Sequence, residues 1–582
     1  MKGFDFLHIK PASSKLEPHD LSFDHLTTMD FGQIVPLACI ESVPRDSFRL
    51  HGTFFSRLTP LVKPTYGRFY FKTASFFVPE FMLADESESF HAGNNTFEGV
   101  TANLRYFTYL DYFLFIYYNS ASSPQDYDFS FTDSAGNYVH RKFTHQARYF
   151  IKVLNALGYA LPENVDQRTT SEWYSRFASK KLNAMPLLAF CKAYNDYMSR
   201  STRYNTSGLT SLLRCIKHNV TYGNYYSSST CCISYQGLSY LLGEIKLCYE
   251  NDYFVSAWQT PNSPLNSVSY PNTLDVPGNN SDSIVASTDD THLDVPSVAT
   301  ASLNQRSLDF LRRFDDWARR YNYAGSRTYQ KILAQFGIKT SDFRSNYAEL
   351  IQTTSDLVRV GDVTATASSE TSKGYTYVGD YAGKGIMVKE SGFGYKSKDY
   401  GYLIVMGYFT VAPMYAYGFD RSVLRTNRFD FYTPQFDGVG AEAISYGELY
   451  TTQDTVSGDT YLDDTVYGFT ERYNSYRFGR DKITGDFRAS MNNSTMNSWH
   501  NGRILANVRA SGDMVAQSNS MVYLPQSDSE YNRIFAVQSG IDHFYVTAQF
   551  DVKAMRPIKT LNQVPRLDEG DTVIPKNGNA VN

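Results

Sequence analysis

Residues 44–83 read PRDSFRLHGTFFSRLTPLVKPTYGRFYFKTASFFVPEFML. Aromatic and β-branched residues fall there in short, partly alternating runs, Phe69 and Phe71 against Tyr70 and Lys72, then Phe76-Phe77-Val78. Pro44, Pro60, Pro64 and Pro79 punctuate the runs. Side chains alternate between the faces of a strand, and proline cannot donate into a central ladder. The pattern therefore predicts two or three strands joined by rigid turns. It holds no catalytic motif.

Working outward, strand signals cluster at both ends of the chain. Residues 401–413, GYLIVMGYFTVAP, form a near-continuous apolar run stopped by proline, as a strand buried on both faces would be. Phe544, Val546, Ala548, Phe550 and Val552 alternate with Tyr545, Thr547, Gln549, Asp551 and Lys553, a strict period of two. Helical stripes lie between. Phe143, Ala147, Phe150, Leu154 and Leu157 recur at three- and four-residue spacing, with Gly158 as the cap. Leu187, Phe190, Cys191, Tyr194 and Met198 form a second stripe after Pro186, and a third runs from Leu303 to Tyr323, before Gly325. Residues 259–302, dense in Ser, Asn, Pro, Thr and Asp, read as an exposed loop in which Leu-Asp-Val-Pro occurs twice. Residues 201–240, rich in Ser, Thr and Tyr, read as another surface excursion. Strands interrupted by long, partly helical insertions predict a mainly β fold, a viral-type jelly roll or an α+β protein.

Composition narrows the function. The net charge of −4 gives no global basic excess, so any contact with nucleic acid must come from a local patch. Aromatic residues make up 15% of the chain, with 46 Tyr and 40 Phe, which suits surfaces buried only on assembly as well as a Tyr-rich β surface. The six Cys form no C-x-x-C pair, which speaks against a zinc site and for a reducing compartment. The N-terminus carries Asp5 and His8 where a signal peptide needs an apolar core, and Tyr109–Tyr118 is too short and carries Asp111. A soluble chain without a cleaved signal is expected.

Catalytic signatures fail on inspection. Gly379-Asp-Tyr-Ala-Gly383-Lys384-Gly385 resembles a phosphate loop, but its glycines are one residue too close and Gly385 stands where a magnesium-holding Ser or Thr belongs. A flexible turn is the expectation there. Gly392-Phe-Gly394 lacks a third glycine, no G-x-S-x-G elbow occurs, and the 11 His show no metal-binding spacing. Asp289-Asp290 and Asp463-Asp464 lack calcium-loop spacing and read as solvated loops. No catalytic residue, metal or cofactor is expected. Paired carboxylates that meet only in the fold stay open, and with them a carbohydrate-binding or carbohydrate-cleaving β-protein.

The third helix carries the functional hint. At about 100° per residue, Leu303, Phe310, Phe314, Trp317 and Tyr321 share one face, Arg312 and Arg319 lie opposite, and Arg313 and Arg320 flank them. Such a stripe could grip phosphates and stack bases. The stronger reading is an ordinary solvated face or a subunit contact, because Asp309 can pair with Arg313 and Asp316 with Arg312 or Arg320 along the helix.

Several islands resemble the major capsid protein of microviruses, small tailless phages with single-stranded DNA. Gly32-Gln-Ile-Val-Pro36 and the opening stretch are similar to that family's opening. Ala184–Tyr197 resembles its L-P-x-R-A-Y helix, with Leu188 where the family has Arg, and Asn251–Trp258 resembles its D-Y-F-T-S-A-L element. Gly325-Ser-Arg-Thr-Tyr329, Glu471-Arg-Tyr-Asn-Ser-Tyr-Arg477, Gly485-Asp-Phe-Arg488, Ser498-Trp-His500 and Phe550–Pro557 follow in family order.

The resemblance, closest to gokushovirus-like members, implies one jelly-roll subunit: an eight-stranded antiparallel barrel with long, partly α-helical insertions, and no enzyme activity. It implies early strands in 22–83, a helical insertion in 140–200, exposed loops in 201–302, a second helical insertion in 303–345, and later strands with a C-terminal arm in 395–582. It further implies a T=1 icosahedral shell of copies of the chain, built in the host bacterial cytoplasm around circular single-stranded DNA. Pilot, DNA-binding and scaffolding proteins and a host surface receptor are the expected partners, with no membrane. Residues 259–302 would be the receptor-facing loop.

Overall fold

The computed structural model describes residues 15–91, 104–123, 138–160, 180–199, 207–250, 252–257, 346–364, 381–415, 418–437, 441–449, 466–488, 496–503, 531–538 and 540–558, with short strand pieces and single turns elsewhere. Its framework is nine strands: β1 (Glu17–Asp20), β2 (Phe23–Met29), β3 (Ile34–Ser42), β4 (Ser47–Leu58), β5 (Phe69–Pro79), β6 (Glu349–Thr364), β7 (Tyr381–Lys396), β8 (Gly401–Val411) and β9 (Phe544–Arg556). The opening stretch thus supplies two strands, and a 3-10 turn at Glu80–Met82 ends it.

All pairings in this framework are antiparallel. One sheet runs β2, β9, β4, β7, with β1 beside β2 on the same edge of β9. The other runs β6, β5, β8, β3. They join at one corner, where Arg359–Thr364 of β6 leaves β5 and pairs with Tyr381–Ile386 of β7. The short turn after Met29 carries the chain from the far edge of the first sheet to the far edge of the second, so the sheet curls into the two-layered jelly roll. There the His25 Nδ1 meets the Leu37 carbonyl oxygen at 2.9 Å.

The core lies between the layers. Phe54 on β4 meets Phe71 on β5 at 5.7 Å between ring centres, and Phe409 on β8 stacks on Phe544 of β9 at 3.8 Å. The closing strand pairs with the opening one, Val552 opposite Leu50 and Phe550 opposite Gly52. Its alternation is physical: Phe544, Val546, Ala548, Phe550 and Val552 are buried, whereas Tyr545, Gln549, Asp551 and Lys553 face out.

β8 does not alternate, because its layer is covered on both sides. The connection from β5 to β6 folds back over the second sheet with helices α1 (Tyr109–Asn119), α2 (His145–Ala156), α3 (Met185–Tyr197), α4 (Ser207–Lys217) and α5 (Tyr235–Gly243). α2 lies on β3 and α3 on β5 and β8. The Tyr149 hydroxyl donates to the Ile34 carbonyl at 3.1 Å, and Phe76 meets Tyr197 at 5.2 Å. Thr144 caps α2 by accepting from the Ala147 N–H at 3.1 Å, and Gly158 leaves it with φ +98°.

Part of the expected surface excursion is core. Leu209, Leu212 and Ile216 of α4 and Leu238, Leu241 and Leu242 of α5 are buried. Their three- and four-residue spacing sets an apolar stripe inside a Ser- and Tyr-rich segment. Apart from Arg313, the third helical stripe, Leu303–Tyr323, lies outside the described residues, as does most of 259–302.

Candidate assembly surfaces

The glycine cluster at 379–385 is no phosphate loop, and from Tyr381 onward it is no turn either. Gly383 pairs with Asp362 and Gly385 with Val360 inside a ladder. A β-carbon on Gly385 would stand 2.7 Å from Leu58 Cδ1, and one on Gly383 2.9 Å from Leu61 Cδ1. Glycine is needed there because leucines of the opening stretch press on the strand. Asp289-Asp290 and Asp463-Asp464 lie outside the described residues.

The structure assembles one polar cluster that the spacing of residues gave no sign of. Asp30, fully buried in the turn after β2, accepts from the Phe31 N–H at 2.8 Å and faces His543 Nδ1 at 2.9 Å. Beside it Asp542 holds the Lys152 ammonium at 2.6 Å, with His145 Nε2 at 3.5 Å. Burial opposes ionisation of Asp542, but hydrogen bonds from His145 and Lys152 overcome it and hold the carboxyl well below its usual range. Asp30, His145 and Asp542 have ligand atoms within 4.8 Å of one another, close enough to share a cation. The donor set fits a metal poorly, since Lys152 and His543 already occupy the two carboxylates. The cluster is a clasp that ties the turn before β3 to the root of β9.

The other candidate surface is in the connection from β8 to β9. Phe429, Phe431, Tyr432, Val423, Tyr476 and Phe478 stand exposed, Val423 by 66% and Phe429 by 64%. The rings are neighbours: Tyr432 lies 5.2 Å from Tyr473 and 6.0 Å from Tyr476, and Phe429 lies 6.1 Å from Phe436. Arg425 stacks on Tyr476 at 3.8 Å and Arg472 on Phe436 at 5.1 Å. Partly buried ion pairs tie the base together, Arg421 binding Glu442 at 2.6 Å and the buried Glu448 at 2.8 Å. Burial pushes the Glu448 carboxyl up, against the pull of Arg421. A contiguous aromatic and arginine surface of this kind is the composition of protein interface cores. The island Glu471–Arg477 forms part of it, with Arg477 bridging Glu471 at 2.7 Å and Asp437 at 3.2 Å. The outward face of the first sheet is also apolar near its turn end, where Leu26, Ile386, Val388 and Tyr545 are exposed.

Of the arginine stripe, the structure describes Arg313 alone, exposed and helical. Arg312, Arg319 and Arg320 lie outside the described residues. No disulfide joins the six cysteines, and among the described residues no helix is long and apolar enough to cross a membrane.

Comparison with known proteins agrees with this frame. The chain is 24% identical to the capsid protein VP1 of Chlamydia phage 1, over 95% of this chain and 96% of that protein. It is 25% identical to the capsid protein VP1 of Bdellovibrio phage phiMH2K over 36% of this chain and 37% of that protein. These relatives are structural proteins, and this chain is likewise a structural protein rather than an enzyme. A family model described as capsid protein (F protein) matches residues 8–566, so the chain belongs to that family, the capsid proteins of microvirus-type phages.

Proposed function

We propose that the chain is the major capsid protein of its phage and closes, with copies of itself, into a T=1 icosahedral shell around circular single-stranded DNA. The observation that carries self-assembly is the aromatic surface around Phe429, Tyr432 and Tyr476, which stays in water unless another protein covers it. Closed point-group symmetry lets one such patch serve every copy. The jelly roll would be the wall, and the insertions 140–200, 201–302 and 303–345, all within the connection from β5 to β6, would carry its contacts with DNA and host. Residues 259–302 are assigned to the host receptor, and Arg312, Arg313, Arg319 and Arg320 to DNA or to a neighbouring subunit. Pilot, DNA-binding and scaffolding proteins would join in the host cytoplasm, where the shell is built.

Negative-stain micrographs of lysate from cells expressing the chain with its phage partners test the reading. Uniform small icosahedra support it. Monomers that bind glycans, with no particles, would return the carbohydrate-binding alternative.

A further inference from the structure

A cavity of about 260 Å³ opens between α3, α4 and the turn before β6. Its floor is apolar, with Leu188, Leu213 and Ile216. Its rim is basic: Lys192, Lys217 and Arg214 line it together with His218 and Asn346. The two lysines converge on one residue. Lys192 Nζ donates to the Asn346 carbonyl oxygen at 2.8 Å, and Lys217 Nζ to its side-chain oxygen at 3.3 Å. Asn346 presents both acceptors from a left-handed backbone, φ +57°, which asparagine tolerates better than most residues.

The carboxylates nearby leave cationic capacity over. Asp196 is committed to Lys192 at 2.9 Å and to the Ala348 N–H at 2.9 Å. Asp85 is committed to His218 at 2.5 Å and stands 3.8 Å from Lys217, beyond a hydrogen bond. An ammonium has three N–H donors, and Asn346 gives Lys217 one long hydrogen bond. Burial, then the charge of Lys192, pulls Lys217 below the usual lysine range despite Asp85. Arg214 is exposed and has no ion-pair partner among the described residues. Two ammonium groups and a guanidinium thus line one space over an apolar floor, Lys192 from α3 and Arg214 with Lys217 from α4.

We propose that this cavity is an oxyanion site that takes a phosphate ester, its oxygens between Lys192, Lys217 and Arg214 and its organic part on the leucine floor. Three cationic side chains with several N–H donors between them suit the charge and the paired non-bridging oxygens of a phosphate ester, which a mononucleotide and a strand phosphate share. The ester is a mononucleotide or a phosphate along a nucleic-acid strand. The strand source rests on the enclosure of DNA proposed above, and the mononucleotide source does not.

The test uses the unassembled full-length chain and fluorescein-labelled oligothymidylate, titrated by anisotropy across salt, with thymidine monophosphate and inorganic phosphate as competitors. Arg214→Gln removes an exposed side chain and leaves the packing alone. Lys217→Gln with Arg214→Gln removes two rim charges. Strand binding is expected to weaken on the order of tenfold in the double variant, its log–log salt slope falling by about 0.7 for each cation removed. If the monophosphate competes at the same site but the strand binds no tighter than it, the site stands with the free ester as ligand. Equal binding of every phosphate probe by parent and both variants, each with unchanged thermal unfolding, overturns the proposal. Micrographs of Arg214→Gln shells keep this result separate from a failure of assembly.

Discussion

His543 Nδ1 lies 2.9 Å from Asp30 Oδ2, and the pair joins residues 513 positions apart. The other ring nitrogen faces the Val537 carbonyl at 2.9 Å, and the ring stacks on Phe535 at 4.0 Å between centres. Both side chains are almost fully removed from water, so neither can lose the other without leaving a buried polar group unmatched. His543→Ala should destabilise the chain by about 3–5 kcal/mol, the cost of breaking a buried pair. Urea unfolding of the unassembled subunit measures it, and a loss below about 1 kcal/mol would demote the clasp to an incidental contact.

The neighbouring Asp542 gives a pH signature. Its folded-state pKa lies below the ordinary 3.8, so its contribution is fully present above that value and is lost as pH falls toward the lowered one. Asp542→Asn should therefore cost most stability at neutral pH, with the gap to the parent narrowing once pH drops below about 4. Denaturant titrations at several pH values check this. A gap that stays constant into acid would mean that the carboxylate charge is not what Lys152 and His145 recognise.

Glycines on β7 separate close approach from mere flexibility. Gly385→Ala puts a methyl 2.7 Å from Leu58 Cδ1, whereas Gly394→Ala meets only the Phe48 carbonyl oxygen at an ordinary 3.8 Å. The first should cost about 1–3 kcal/mol and the second less than about 1. Thermal unfolding of the two single variants distinguishes them, and equal losses would refute the packing argument.

Phe429→Ser with Phe431→Ser removes two exposed rings from the aromatic surface without touching the core. The subunit should keep its unfolding temperature and lose the ability to sediment as particles, since interface anchors commonly contribute about 2 kcal/mol or more. Normal shells from this variant would move the subunit contact elsewhere.

What was legible in the chain follows from how local each signal is. β9 announces itself because one of its faces meets water, and β8 reads as a continuous apolar run because α3 covers the face that would otherwise be polar. Leu209, Leu212 and Ile216 carried a helical stripe that the surrounding Ser, Thr and Tyr disguised. Gly383-Lys384-Gly385 looked like a turn because its reason, the side chains of Leu58 and Leu61, lies more than 300 residues upstream. The clasp of Asp30, Lys152, Asp542 and His543 had no local signature at all. The aromatic surface was half legible, through the Glu471–Arg477 island, but its other half, Phe429 to Tyr432, acquires meaning only once the connection folds beside it.

Copies of this chain are expected to close into one shell of fixed size. Mass measurement of particles purified from lysate, by charge-detection mass spectrometry after removal of DNA, addresses it most directly. About 60 copies of a 66.1 kDa chain, roughly 4 MDa with any minor proteins added, is the expected mass of the smallest icosahedral shell. A broad distribution of open aggregates, or a chain that stays monomeric with all its phage partners present, would contradict it.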